Sequence, residues 1–317
     1  MNTIWPIPKI GLMPLAEIEE VRPVALIYSG PAWHAVENKL KLHIVWKTEV
    51  FEATTENWDH LMEGLHGEVV YSVGGGLTAD AAKYISKKTS LPMVCIPTAL
   101  SVDAFITAAS GSRRDGCVYY IETKPPENLV LDLSVIASAP ANIRAAGVTD
   151  VMSIATGSWD WKFAHERGKN PVGMEFIPWV YENAQSILNG VLDCAEAAGR
   201  GDQDGLKTLY DCLAMEVQLC NQVGHARPEE GTEHYFAYCV ENALGHGLPH
   251  GDLVGPGILI AAGWQGQDIG KLESALKACH IPLDRIPPEV VEQTRQALPT
   301  YCRNHGLSYG ISHELNG

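Results

Sequence analysis

Two imidazoles and a carboxylate stand where helices could bring them together. Asp150 opens a helical stretch in Ala145-Ala-Gly-Val-Thr-Asp150. His234 lies in Gly231-Thr-Glu-His-Tyr-Phe236, inside an apolar helical run, and His250 lies in the glycine-rich break Gly245-His-Gly-Leu-Pro-His-Gly-Asp252. One carboxylate and two neutral imidazoles make a divalent-cation site that keeps positions open for substrate. His246 competes with His250 for the third place, because both flank Gly247–Pro249. A cation held this way is a Lewis acid that lowers the pKa of a bound hydroxyl. The plainer alternative is that His234 is a satisfied core residue of its helix.

A second chemical feature is the turn in Val69-Val-Tyr-Ser-Val-Gly-Gly-Gly-Leu-Thr-Ala-Asp-Ala-Ala-Lys83. A strand enters Gly74, Gly75 and Gly76, and a helix follows. Glycines let a backbone approach a ligand closely, and the helix start offers unpaired N–H groups to a pyrophosphate. The spacing is neither GxGxxG nor GxxxxGK[ST], so those fingerprints do not apply. Asp80 and Lys83 are three apart on one helix face, which predicts a surface ion pair. The next turn, Pro97-Thr-Ala-Leu-Ser-Val-Asp103, could present the Thr98 and Ser101 hydroxyls to the same ligand, since ligands gather at the carboxyl ends of parallel strands.

These residues need a scaffold, and the chain has two textures. Short apolar runs at Val24–Tyr28, His43–Trp46, Glu68–Val73, Pro92–Ile96 and Leu129–Leu133 alternate with helical stretches, which predicts a parallel sheet with crossover helices. Beyond about residue 140 strand-like runs cease. Helical spacing takes over at about Thr149–Arg167, Ile177–Ala198, Leu206–Val223, Thr232–Leu244 and Leu253–Ala262. The reading is α/β followed by all-α, with a domain over 1–139 and a second over 140–317. Arg113-Arg-Asp-Gly-Cys117 has the chemistry of a tight hairpin turn.

Composition narrows the function. The 317 residues carry 23 basic and 38 acidic side chains, a net charge of −15. An acidic surface gains nothing from phosphates or anionic lipid, so no nucleic-acid partner and no membrane insertion are expected. The prolines of the first fifteen residues do not suit a signal peptide. Eight scattered cysteines without a CxxC pair read as free thiols of a reducing cytoplasm.

Taken in order, the motifs resemble one superfamily, the dehydroquinate synthase-like enzymes and iron-containing alcohol dehydrogenases. Within it the chain is most similar to the sn-glycerol-1-phosphate dehydrogenase-like branch. The resemblance rests on Ser29–Pro31, GGGxxxDxxK at Gly74–Lys83, PTxxSxD at Pro97–Asp103, Asp150, Asp160-Trp-Lys162, Glu233-His234 and His250-Gly-Asp. It implies an N-terminal Rossmann-like domain, a C-terminal helical bundle and an active site in the cleft between them. It implies NAD or NADP on Gly74, Gly75 and Gly76, on Leu77 and Thr78 at the helix start, and near Thr98, Ser101 and Thr107. It implies that Asp150, His234 and His250 hold one divalent metal, zinc first, with iron or nickel as alternatives. Asp103 is placed near substrate and is the nearest proton-relay candidate. A homodimer or higher homo-oligomer is the expected assembly.

The implied reaction interconverts a small polyol or polyol phosphate with its ketone or aldehyde. Two departures bear on it. Ile154 stands where the alcohol dehydrogenase branch often has a fourth ligand histidine. Tyr238 stands where glycerol-1-phosphate dehydrogenases usually have a substrate-binding histidine, and a tyrosine carries no positive charge near neutral pH. The competing readings are a dehydroquinate synthase-like lyase or cyclase that recycles NAD, and a non-catalytic nucleotide-binding relative.

Overall fold

The computed structural model describes residues 4–315. They form two compact units. One comprises Trp5–Arg114 with Val118–Pro140; the other comprises the chain from Ala141 onward, with Ile4 and Asp115–Cys117.

The first unit is built on strands β1 (Lys9–Leu12), β2 (Val24–Tyr28), β3 (Ile44–Glu49), β4 (Val69–Gly74), β5 (Met93–Pro97), β6 (Ala109–Arg114), β7 (Cys117–Glu122) and β8 (Asn128–Leu131). Its helices are α1 (Gly30–Val36), α2 (Thr55–Leu61), α3 (Gly76–Thr89) and α4 (Leu133–Ala137). Six strands pair in the order β1-β8-β5-β4-β2-β3, and every pairing is parallel. Central β4 is buried at all positions, as a mostly apolar strand covered on both faces is, with Ser72 its one hydroxyl besides Tyr71. Val24, Leu26, Val69, Tyr71, Val73, Val94 and Ile96 belong to the core of this sheet. β6 and β7 form a separate hairpin, closed by Asp115 (φ 52°) and Gly116 (φ 72°). Two successive positive φ values are what an Asp-Gly hairpin turn supplies.

The chain order reverses between β2 and β4: β3 pairs on one side of β2, and β4 on the other. Parallel sheets bind ligands at the strand ends beside such a reversal. The turns Ser29–Pro31 and Gly74–Gly76 lie there, joined by a bond from Ser29 N–H to the Val73 carbonyl (3.2 Å).

The second unit is helical: α5 (Ala141–Arg144), α6 (Val148–Met152), α7 (Ile154–Glu166), α8 (Pro178–Arg200), α9 (Gln203–Val223), α10 (Thr232–Leu244), α11 (His250–Trp264), α12 (Gly270–Ala278) and α13 (Pro288–Asn304). The helix expected over Thr149–Arg167 is two segments meeting at Ser153. The Thr149 and Ser153 hydroxyls bond back to the carbonyls of Ala146 and Thr149 (both 2.8 Å), which competes with a regular ladder. α8 and α9 form a hairpin: Gly201 ends α8 at φ 80°, and the Asp202 carboxylate caps α9 by accepting from Gly205 N–H (3.0 Å). No helix among the described residues is long and apolar enough to cross a membrane.

Candidate active site

Asp150, His234 and His250 come together within the helical unit. Each offers one ligand atom, and those atoms all lie within 4.8 Å of one another. Asp150 comes from α6, His234 from the first turn of α10 and His250 from the first residue of α11. His250 Nε2 is 2.8 Å from Asp150 Oδ1, and the two imidazole centroids are 5.3 Å apart. His246 is exposed and turns Nδ1 to the Gly247 carbonyl (3.3 Å).

Glu233 sits behind His234. It is fully buried, and its Oε1 accepts from His234 Nδ1 (2.9 Å) and Gly231 N–H (2.6 Å) while Oε2 accepts from the Thr156 hydroxyl (2.6 Å). The bond fixes the imidazole tautomer and leaves Nε2 available to a cation, the usual carboxylate–histidine–metal arrangement. Burial disfavours a charged His234. The hydrogen bond and charge of Glu233, with the charges of Glu230 and Asp150, outweigh it and raise the imidazole from 6.5 to about 9. The pocket's field favours a cation, and its donor set is the two-imidazole, one-carboxylate type, so these residues fit a divalent metal.

A second buried carboxylate aligns α10. Asp160, with no exposure, accepts from Thr232 N–H and Ile311 N–H (2.8 Å each) and from the Gln265 amide (3.1 Å). Burial raises its carboxyl to about 6, against those bonds. Gly257 lets α11 approach: a Cβ there would lie 2.7 Å from the Glu233 carbonyl oxygen. Tyr238, one turn beyond His234, donates its hydroxyl to Glu230 Oε1 (3.0 Å). Burial raises the Glu230 carboxyl, while His234 and the Tyr238 hydrogen bond oppose the rise.

The glycine turn belongs to the sheet unit. Gly74 has φ 151°, and a Cβ there would meet Thr78 Oγ1 at 2.5 Å; a Cβ on Gly75 would meet Ser101 Oγ at 3.1 Å, and one on Gly76 would meet Val102 at 2.7 Å. Gly74 is fixed by its φ, whereas a side chain at Gly75 or Gly76 would have to displace Ser101 or Val102. Helix α3 starts there without a side-chain cap, so no side chain takes up its first N–H groups. Thr98 N–H bonds the Gly74 carbonyl (3.3 Å), bringing the Thr98 and Ser101 loop over the glycines. Leu77 is half-buried, and Thr78 is buried with its hydroxyl on the Gly75 carbonyl (2.8 Å). Asp103 is half-buried in the same loop, where its carbonyl accepts from Ile106 N–H (2.7 Å).

Lys83 differs from expectation, and Glu49 adds a contact that the sequence did not mark. Lys83 makes no surface ion pair: its side chain is fully buried, 3.1 Å from Asp80 and 2.9 Å from the Thr107 hydroxyl, and it also donates to the Ala109 carbonyl. The small neighbours Ala79, Ala82 and Ser86 on α3 leave room for it. Glu49, at the end of β3, accepts from Gly30 N–H (2.7 Å) beside the strand-order reversal. Its position in the chain alone is not diagnostic, because its partner depends on the parallel pairing of β2 and β3.

Comparisons with known proteins bear on both units. Residues 15–140 match the family model described as iron-containing alcohol dehydrogenase. The chain is 29% identical to the glycerol-1-phosphate dehydrogenase [NAD(P)+] of Pyrococcus furiosus over 284 residues, 85% of this chain and 80% of the relative. It is 30% identical to the enzyme of that name from Pyrococcus abyssi over 226 residues, 69% of this chain and 64% of the relative. The match thus spans less than two thirds of the second relative. In fold the chain is similar to a probable glycerol dehydrogenase from Sinorhizobium meliloti, with TM-score 0.68, 18% identity and coverage of 99% of this chain and 93% of the other. It is also similar to sulfoacetaldehyde reductase from Bifidobacterium kashiwanohense in complex with NAD+, with TM-score 0.69, 14% identity and coverage of 99% and 98%.

Proposed function

We propose that this chain, which belongs to the iron-containing alcohol dehydrogenase superfamily on its glycerol-1-phosphate dehydrogenase-like side, is an NAD(P)- and divalent-metal-dependent dehydrogenase of a small polyol or polyol phosphate. The observation that carries this reading is the convergence of Asp150, His234 and His250 from three helices within 4.8 Å, with Glu233 holding one imidazole from behind. The names of the relatives support the reaction class and the cofactor.

Asp150, His234 and His250 would hold the metal, which when bound supplies a Lewis acid for a substrate oxygen, as the nicotinamide supplies a hydride acceptor. The protein's own part is positional. Glu233 keeps His234 Nδ1 protonated and its ring aimed. Asp160 fixes the backbone at Thr232, so that the first turn of α10 presents His234 in register. Gly74, Gly75, Gly76, Leu77 and Thr78 would receive the pyrophosphate, with Thr98, Ser101 and Thr107 beside it. Asp103 would pass the hydroxyl proton onward. Glu49 would accept from a ribose hydroxyl and repel an added phosphate, which favours NAD over NADP.

The test is metal analysis of purified protein with a panel of polyols and polyol phosphates followed at the NADH absorbance. Asp150→Ala and His250→Ala should lose bound metal and turnover together. Full activity and metal content in both variants would dismiss the site. Net NAD(P)H formation separates a dehydrogenase from a lyase that recycles its cofactor.

A further inference from the structure

Arg227 is a buried guanidinium with unmet donors. The residue is 3% exposed, and one nitrogen, Nη2, donates to the Tyr309 carbonyl at 2.8 Å. Nε and Nη1 are buried and have no hydrogen-bond partner among the described residues. A buried charge with open donors is costly, so the side chain implies an acceptor that the chain itself does not supply.

Two imidazoles share its surroundings. His225 Nδ1 accepts the Arg227 backbone N–H at 3.3 Å, and its ring stands edge-on to Trp161 of α7, with centroids 5.4 Å apart. His313 closes the short turn Ile311–His313. Its Nδ1 accepts from Gly310 N–H at 3.4 Å, with the Ser312 hydroxyl 3.3 Å away, and its ring stacks on Tyr309 at 5.0 Å. Burial lowers both imidazoles from 6.5, and the Arg227 charge adds to the fall, behind that of Arg303 at His313. Both rings are then neutral near pH 7, and with Nδ1 accepting, each keeps its proton on Nε2. The cluster therefore offers donors only: Arg227 Nε and Nη1 and the two Nε2–H groups.

The carboxylates whose charge reaches this cluster accept elsewhere. Glu175, which acts on His225, takes Gly173 N–H at 3.0 Å. Glu230, on which Arg227 acts, takes the Tyr238 hydroxyl at 3.0 Å. The donors come from the loop before α10 and from the C-terminal turn, and neither carries one of the three metal-ligand candidates. In a chain of net charge −15, a donor-only cluster around a buried guanidinium is a local reversal of sign.

We propose that Arg227, His225 and His313 form a binding site for a small free oxyanion of phosphate or sulfate size, separate from the metal centre. The bound anion would clip the C-terminal turn to the loop that leads into the first turn of α10. A guanidinium and imidazole N–H groups suit such an anion because every one of its oxygens accepts.

The test uses the zinc-loaded, NAD+-bound protein, in which the glycine turn is occupied, with sulfate as the calorimetric probe and chloride of equal ionic strength as the control. At about 10 times its Kd, sulfate should raise the melting temperature by about 3 °C over chloride. Arg227→Met should weaken sulfate binding about 10-fold or more. His225→Phe and His313→Phe, which keep the rings against Trp161 and Tyr309, should each weaken it about 3-fold. These two variants decide the matter if the Arg227 variant does not fold. In crystals soaked with selenate, the selenium signal should lie between the three side chains. Adding glycerol-1-phosphate tells a free anion from the phosphate of an ester: a persisting selenium peak supports the separate site, and displacement overturns the separation. Equal melting in sulfate and chloride overturns the proposal, as does a sulfate affinity that all three variants leave unchanged, or selenate bound only elsewhere. None of these failures touches the dehydrogenase reading, since these three residues hold neither metal nor nucleotide in it.

Discussion

Glu233→Gln isolates what the buried carboxylate behind His234 contributes. The amide has nearly the same shape. Its oxygen can still accept from Gly231 N–H and His234 Nδ1, now at 2.6 and 2.9 Å from Oε1. Its NH2 then faces the Thr156 hydroxyl, which sits 2.6 Å from Oε2 and can rotate to donate to the Ser153 carbonyl at 3.3 Å. One N–H of the new amide meets the Thr156 oxygen and the other has no acceptor in this dry site, so stability should fall by about 1–3 kcal/mol. The negative charge is lost, and with it the basicity it lends the imidazole. Outer-shell partners of this kind are worth about 10–100-fold in metal affinity, or roughly 1.4–2.7 kcal/mol. Competition for zinc against a chromophoric chelator reads that loss, and a circular-dichroism melt confirms the fold. A folded Gln variant that binds zinc within about 2-fold of the parent would refute the reasoning. Glu233→Ala is the contrasting perturbation: it strands Gly231 N–H and His234 Nδ1–H in a dry interior and should cost about 3 kcal/mol or more of stability.

Three further outcomes are expected. Gly74→Ala forces a side chain onto a backbone at φ 151° and into Thr78 Oγ1 at 2.5 Å, so it should destabilise by about 2–4 kcal/mol and abolish NADH fluorescence enhancement. The unaltered protein should use NAD in preference to NADP, and Glu49→Ala should narrow the ratio of kcat/KM values by about 10-fold or more through loss of the ribose acceptor. At acid pH, Glu20 is the group to follow: Arg22 bonds both its oxygens (2.8 and 2.7 Å) and holds its carboxyl at about 2 rather than 4.5. A depressed folded-state value stabilises fully above about pH 5 and is lost as the pH falls toward 2. With the Arg22 side chain 37% exposed, solvent screening leaves about 1–2 kcal/mol of this, and Glu20→Gln should flatten acid unfolding in that window.

The parallel strands were legible because covered strands must be apolar throughout; Val24–Tyr28 and the run into Gly74 could hardly be anything else. β1, Lys9-Ile-Gly-Leu12, was not legible. It has no buried face pattern and exists as a strand through its pairing with β8, 119 residues away at Lys9–Asn128. β6, Ala-Ser-Gly-Ser-Arg-Arg, lacks strand propensity altogether, yet its end was marked by Asp115-Gly116, because a turn's dihedral demand is local and a strand's partner is not. The break at Ser153 was also local, written in the hydroxyls of Thr149 and Ser153, but helical periodicity masked it.

At the site, the residues with reactive side chains were legible and those that hold them were not. Donor types announce themselves: histidine beside glycine breaks, aspartate at a helix start, three glycines after a strand. Glu233, Asp160 and Lys83 entered only as letters of the motifs, with no role at the site read for them, and each could have been read as surface charge. Their signal lies in where the charge falls. Asp160 stands between two tryptophans, Glu233 beside His234 in an apolar run, and Lys83 in step with Ala79 and Ser86. A charge on the buried face of a helix costs several kcal/mol unless a partner meets it. Such a residue therefore implies a second polar group elsewhere in the chain. For Lys83 that implication reaches the loop after β5: its three partners, Asp80, Thr107 and the Ala109 carbonyl, tie the far end of the Thr98–Thr107 segment to α3, the helix that begins at Gly76. The ammonium thus ties the loop that follows β5 to the helix that follows β4, and Lys83→Met, which keeps the length and removes the charge, would release one from the other.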